Sequence, residues 1–269
     1  VRERFSAEQG AQAADAAMWQ AGIEAVGDIS NGDTTFAVKS RSRIAYRTFV
    51  EFFGLRAASA EHLLPLLRHP QTSLTPHSLY SVQDAPLRAI AARGDAPLSI
   101  HFMESPGEAA LFEHRGPLWE WYAKAGFSCD FLHYGSPAER LVACVPRDRR
   151  VILVHDCCIT QRDIDIVMGH FTAPVWWCLC PRSNRYISGL EPPVELLRRN
   201  RLNICLGTDS LASNDRLSVF EEMRMFPGIP LPELLGEIAP GRRCGLTVIS
   251  GLDYGTLCLT PASQIHRIL

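Results

Sequence analysis

Seven short apolar runs recur along this chain, and nearly all of them end in residues that a hydrophobic core cannot hold. The runs are 23–29 (IEAVGDI), 44–49 (IAYRTF), 72–76 (TSLTP), 98–102 (LSIHF), 151–155 (VILVH), 175–180 (VWWCLC) and 203–207 (NICLG). Between them lie helical patterns at 7–21, 85–93, 107–125, 137–144, 160–170 and 192–200. Ser6 is placed to cap the first of these, and Pro192-Pro193 suits a helix start, where a missing N–H costs least. Strands alternating with helices imply an α/β fold with a parallel sheet and crossover connections.

The polar residues at the strand ends are Asp28, Ser30 and Asn31, then His77, His101 with Glu104, His155-Asp156, Arg182-Ser183-Asn184 and Asp209. In a (β/α)8 barrel all strands run the same way, so their C-terminal tips meet on one face, where the active site lies. A doubly wound open sheet would instead gather function at one crevice, and no G-x-G-x-x-G follows any strand. The predicted fold is therefore a TIM-like (β/α)8 barrel. Seven strands are found where a barrel needs eight, and the first strand is expected to be missing from this sequence. Residues 1–235 are expected to form the barrel, and 236–269, rich in short strands and turn residues, an accessory β-sheet segment.

With 269 residues, 46% of them hydrophobic, the chain can bury a large core. A net charge of −2 leaves no electrostatic footprint for nucleic acid. No apolar run reaches the roughly 18 residues that span a bilayer, and no signal peptide opens the sequence, so the expected location is cytoplasmic. The nine cysteines include no C-x-x-C pair and read as reduced core thiols. Cys157-Cys158, just past a strand end, is the exception worth inspection. The run Arg147-Asp148-Arg149-Arg150 reads as a solvated turn, and one member of the pair Trp176-Trp177 is expected in the core.

His101 at a strand end, Glu104 three residues on, His155 at the next strand end and Asp209 after the last offer imidazole and carboxylate. Those are the ligand types for a borderline divalent metal such as zinc. Each residue alone has a plain structural explanation: a hydrogen-bonded histidine, a helix-entry glutamate, a capping aspartate. Their recurrence at successive strand tips, with His77 at another, favours a shared site.

The stretches "TPHSLYSV", "IHFMESPGE", "LVHD", "CPRSNRYISG" and "LGTDSLASN…SVFEEMR" stand in an order and at separations that resemble the metal-dependent amidohydrolase superfamily, in its branch of cytosine, guanine and adenosine-type deaminases and chlorohydrolases. That resemblance implies His101, on the fifth strand of the family's barrel, and Asp209, on the eighth, as ligands of a divalent metal, most simply Zn2+. It implies His155 as holder of the attacking water or metal contact, and Glu104 as proton donor to a substrate ring. His77 would line the substrate pocket. Arg182, Ser183 and Asn184 either contact substrate or close their own loop.

The family's first strand also carries a His-x-His pair, and none occurs in this sequence. Segments before Val1 and near Leu235-Gly236 are accordingly expected to be missing. The implied activity is hydrolytic deamination of a nitrogen heterocycle, purine- or pterin-like. Dechlorination or cyclic-amide hydrolysis at the same site, and a non-catalytic barrel, are the alternatives. The expected partners are a small heterocyclic substrate and, through aromatic helices such as 117–127, a second copy in a homodimer. Neither nucleic acid nor membrane is expected.

Overall fold

A computed structural model of the chain describes residues 6–230 and 247–268. Every apolar run read from the sequence forms a strand. They are β1 (Ala25–Ser30), β2 (Ala45–Phe52), β3 (Thr72–Pro76), β4 (Leu98–Phe102), β5 (Val151–His155), β6 (Val175–Leu179) and β7 (Asn203–Leu206). All pairings among them are parallel, β1-β2-β3 in one sheet and β4-β5-β6-β7 in another. The strand order follows the sequence order, so each strand lies beside its successor.

The two sheets join between β3 and β4 through a side chain. Thr75, fully buried, donates its hydroxyl to the Ser99 carbonyl at 2.5 Å and accepts the Ser99 N–H at 2.9 Å. One residue pair further on the backbone takes over, His101 N–H to the His77 carbonyl at 2.9 Å. The Thr75 hydroxyl thus stands in for a missing rung of the ladder, since both Ser99 backbone groups are polar and need partners. Among the described residues no pairing joins β7 to β1, so closure into a ring is not seen.

Helices cover the strands and build one main core. Leu98, Ile100, Phe102, Val151, Leu153, Trp177 and Leu179 on the strands pack with Leu87, Leu141, Ile164, Val167 and Leu197 on the helices. Near-continuous burial along β4 is what a parallel strand covered on both faces requires. Each such Leu, Ile or Phe contributes roughly 1.5–3 kcal/mol by leaving water. Trp177 is fully buried and Trp176 is 43% exposed, the alternation expected of neighbours on one strand.

Helix boundaries follow local chemistry. Thr160 caps Gln161–His170 with a reciprocal box to Asp163, and Ser136 caps Pro137–Cys144 by accepting the Glu139 N–H. The single helix predicted over 107–125 is two, Pro106–Phe112 and Gly116–Ala125. His114 at φ 56° and Gly116 at φ 86° leave the helical region, and Pro117 has no N–H to continue the ladder. The short helices Phe36–Lys39, Pro181–Ile187 and Val219–Met223 and the 3-10 segment Glu61–Arg68 were not expected, being too brief to show a period. Arg149 departs from the solvated-turn reading. It is 5% exposed, and its guanidinium donates to the Arg93 carbonyl just beyond the C-terminus of the helix Asp84–Ala91.

Beyond the parallel strands, β8 (Thr247–Ser250) and β9 (Gln264–Arg267) form an antiparallel pair. Arg267 lies over the Trp19 ring at 3.3 Å from its centroid, donates to the Trp19 carbonyl at 3.2 Å and pairs with Glu24. The predicted boundary at 235/236 falls outside the described residues. No helix among those residues is long and apolar enough to cross a membrane.

Two measurements check this account. Thr75→Val strands both Ser99 backbone groups and is expected to cost about 1–3 kcal/mol, read as a lower urea midpoint at unchanged slope. At the β5 end, burial, with Glu108 adding, pushes the Cys158 thiol up to about 11, and burial raises Cys157 further. Thiolate is the reactive form, so alkylation of this pair is expected to be slow at pH 8 and to rise only toward pH 11.

Candidate functional site

Because the seven strands run parallel, their C-terminal ends deliver side chains to one side of the molecule. β2 supplies Glu51, in register with Thr75 of β3. His77 follows β3, His101 lies in β4 with Glu104 just past it, and His155 ends β5. Ser183 and Asn184 lie in the helix after β6, and Asp209 follows β7.

Glu51, His77 and His101 form the tightest of these groupings. One ligand atom from each lies within 4.8 Å of the others, and among the described residues this is the group of three that could hold a metal ion. The His101 Nδ1 sits 2.8 Å from the His77 carbonyl oxygen. A carbonyl only accepts, so Nδ1 carries the proton and Nε2 keeps a free lone pair. The His77 Nδ1 is likewise engaged, 2.9 Å from Ser81 Oγ. Fixing one ring nitrogen so that the other can ligate is how metal-binding histidines are commonly oriented.

Glu51 is 8% exposed, accepts from Asn31 Nδ2 at 3.0 Å through Oε2, and leaves Oε1 buried with no hydrogen-bond partner. That orphaned oxygen lies beside the His101 ring, 3.6 Å from its protonated Nδ1, which leaves Nε2 as the nitrogen able to ligate. Two imidazole nitrogens and a carboxylate oxygen lacking a partner fit a zinc-class divalent ion. Burial pushes His77 down to about 4, with repulsion from the His101 and His155 imidazoles adding, so the ring is neutral at pH 7 as a ligand must be.

His155 stacks beside His101 with ring centroids 5.4 Å apart. It is 2% exposed, and its Nδ1 lies 2.7 Å from Asn184 Oδ1, which fixes the ring. Its Nε2 lies 3.8 Å from Glu104 Oε1. Burial holds its proton affinity below the usual histidine range, against the pull of the Glu104 carboxylate.

Asp209 accepts from Ser183 Oγ and Ser213 Oγ, each at 2.6 Å. Burial alone would raise its carboxyl, but the two hydroxyls and His155 hold it below the ordinary carboxylate value. Met103, His155, Asp156 and Asp209 all have positive φ, between 51° and 85°. Such strain in residues other than glycine clusters where a backbone is held for a purpose.

The structure thus brings His77, His101, Glu104, His155, Ser183, Asn184 and Asp209 to neighbouring positions. Arg182 turns to the 208–215 loop instead, bonding Asn214 Oδ1 at 3.1 Å and pairing with Asp215. Glu51 was not singled out from the sequence. Its signal was a lone charge inside Phe49-Val50-Glu51-Phe52-Phe53, a place where a carboxylate needs a reason.

Known proteins resemble this chain in sequence and fold. A 5-methylthioadenosine/S-adenosylhomocysteine deaminase from Saccharophagus degradans is 28% identical over 198 residues, covering 72% of this chain and 38% of that protein. The crystal structure of Helicobacter pylori aminofutalosine deaminase in complex with methylthio-coformycin matches with a TM-score of 0.71 at 26% identity, over 82% of this chain and 58% of that one. An adenosine deaminase from Xanthomonas campestris with bound zinc matches at TM-score 0.59 and 25% identity, over 82% of this chain and 51% of its own. The chain therefore spans between about two fifths and three fifths of these relatives' lengths. The model of the amidohydrolase family matches residues 5–227, including every strand tip described above. This chain belongs to the amidohydrolase family.

Proposed function

We propose that this chain carries the site of a metal-dependent deaminase that hydrolyses an exocyclic amino group from a purine-like ring, and that its seven parallel strands belong to a TIM-like barrel. The observation that carries this reading is the placement of Glu104, His101 and Asp209 around the His155 imidazole at nearby strand tips. The deaminases among the relatives support it. The aminofutalosine deaminase is complexed with methylthio-coformycin and the Xanthomonas enzyme holds zinc.

A bound divalent ion would lower the pKa of water to about 7 and so supply hydroxide at neutral pH. Two donor sets share His101: Glu51, His77 and His101, whose ligand atoms already lie close together, and His101, His155 and Asp209, which the family resemblance implies. Asp209, kept ionised by its two serine hydroxyls, accepts the proton of the attacking water. His155, held through Nδ1 by Asn184, directs its Nε2 toward the attacking oxygen. Glu104, in its protonated form, donates to a ring nitrogen and makes the adjacent carbon electrophilic. The tetrahedral carbon then carries both oxygen and amine. Asp209 passes the proton it took from water to the amine and ammonia leaves; the remaining hydroxyl proton returns to Glu104 as the ring carbonyl forms. Asp209 and Glu104 thus hold opposed proton roles.

Turnover is tested by ammonia release over a panel of 6-aminopurine nucleosides. Asp209→Asn and Glu104→Gln are each expected to lower kcat by at least about 10²-fold. Near-normal turnover in the Asp209 variant would overturn the reading. Metal retention after dialysis separates the two donor sets. Glu51→Gln is expected to weaken zinc binding by tenfold or more, roughly the least that loss of a supporting group costs. Unchanged zinc content in that variant would assign the ion to His101, His155 and Asp209 instead.

A further inference from the structure

Glu108 takes no part in the chemistry above, yet it is a carboxylate only 2% exposed, on the first turn of the helix Pro106–Phe112. Its two oxygens are divided between two consecutive backbone donors. Oε2 accepts the Met103 N–H at 2.9 Å and Oε1 the Glu104 N–H at 2.7 Å. Met103 is in the left-handed region, a conformation that an L residue keeps only when its surroundings enforce it. The carbonyl side of the same residue is also held, accepting the Cys158 N–H at 2.9 Å. Residues 103 and 104 are thus gripped from the β5 loop on one side and by one buried side chain on the other. The Glu104 carboxyl that emerges from this turn meets His155 Nε2 at 3.8 Å.

We propose that Glu108 is a positioning residue: its carboxylate clamps the Met103–Glu104 turn and so aims the Glu104 side chain at the reacting ring. This rests on the reading of Glu104 as proton donor. The chemistry of the clamp is specific to a carboxylate. Each oxygen faces an N–H, so both must accept; burial pushes this carboxyl up to about 8, and the Glu104 and Met103 N–H donors pull it back toward the ionised form that accepts at both ends. A glutamine would turn one NH2 donor against a backbone donor. An aspartate would draw both oxygens back by one methylene, about 1.5 Å.

The test compares Glu108→Gln and Glu108→Asp with Glu104→Gln and the double variant Glu104→Gln/Glu108→Gln. Melting temperature and zinc content serve as controls for folding. Amide hydrogen exchange at residues 103 and 104 reads the clamp directly and does not depend on any activity. Exchange there is expected to quicken at least about tenfold in both Glu108 variants. In the deamination assay kcat is expected to fall about 10²-fold with KM within about threefold, because misplacing a catalytic group by an ångström costs that much. The double variant is expected to be no slower than Glu104→Gln alone, since Glu108 acts through Glu104.

Unchanged exchange at 103 and 104, full turnover in both Glu108 variants, or losses that multiply in the double variant would overturn the proposal. Full turnover in Glu104→Gln would instead remove the proton-donor role and with it the aiming of that donor. Amide exchange would still decide whether the clamp exists.

Discussion

Parallel pairing is the constraint from which the site follows. Strands that share a direction share an end, so whatever residue follows each apolar run is carried to the same side of the molecule. The strand order strengthens this effect: because each strand lies beside its successor, Glu51, His77, His101, His155 and Asp209 come from consecutive or nearby tips. Residues separated by more than 150 positions in the chain thereby become neighbours. The core beneath them, from Leu98 through Trp177 to Leu197, holds the tips at fixed spacing.

That geometry also explains why the tips bear strain and burial together. A strand end that must present a functional group cannot turn by the easiest route, and four residues other than glycine sit at positive φ around the site. Several polar groups of the site have lost water and found one another: Asp209 with two serines, His155 with Asn184, His77 with Ser81. Where no such partner exists, as at Glu51 Oε1, the orphaned oxygen is itself the observation. A buried acceptor with nothing to accept is costly unless a cation or a ligand donor completes it.

Much of this was readable from the sequence because strands in a parallel sheet are buried on both faces and show as unbroken apolar runs. All seven were found, within a few residues of their ends. The polar residues that interrupt those runs gave most of the site. Glu51 escaped because the second run was read as 44–49, three residues short of the true end at Phe52, which left the carboxylate looking like part of a loop. The split at His114–Gly116 and the helices of four to seven residues were hidden for a different reason. One or two turns are too few to display a period, and their ends are set by tertiary packing. The Thr75 bridge could not be foreseen either, since nothing in TSLTP distinguishes a hydroxyl that substitutes for backbone from one that faces water.

The stacking of Arg267 on Trp19 joins positions 248 residues apart in the chain. On a ribosome the tryptophan emerges long before its cation exists. The helix Ala7–Gln20, which buries none of its residues fully, must therefore wait beside β1 without this brace until Arg267 has emerged as well.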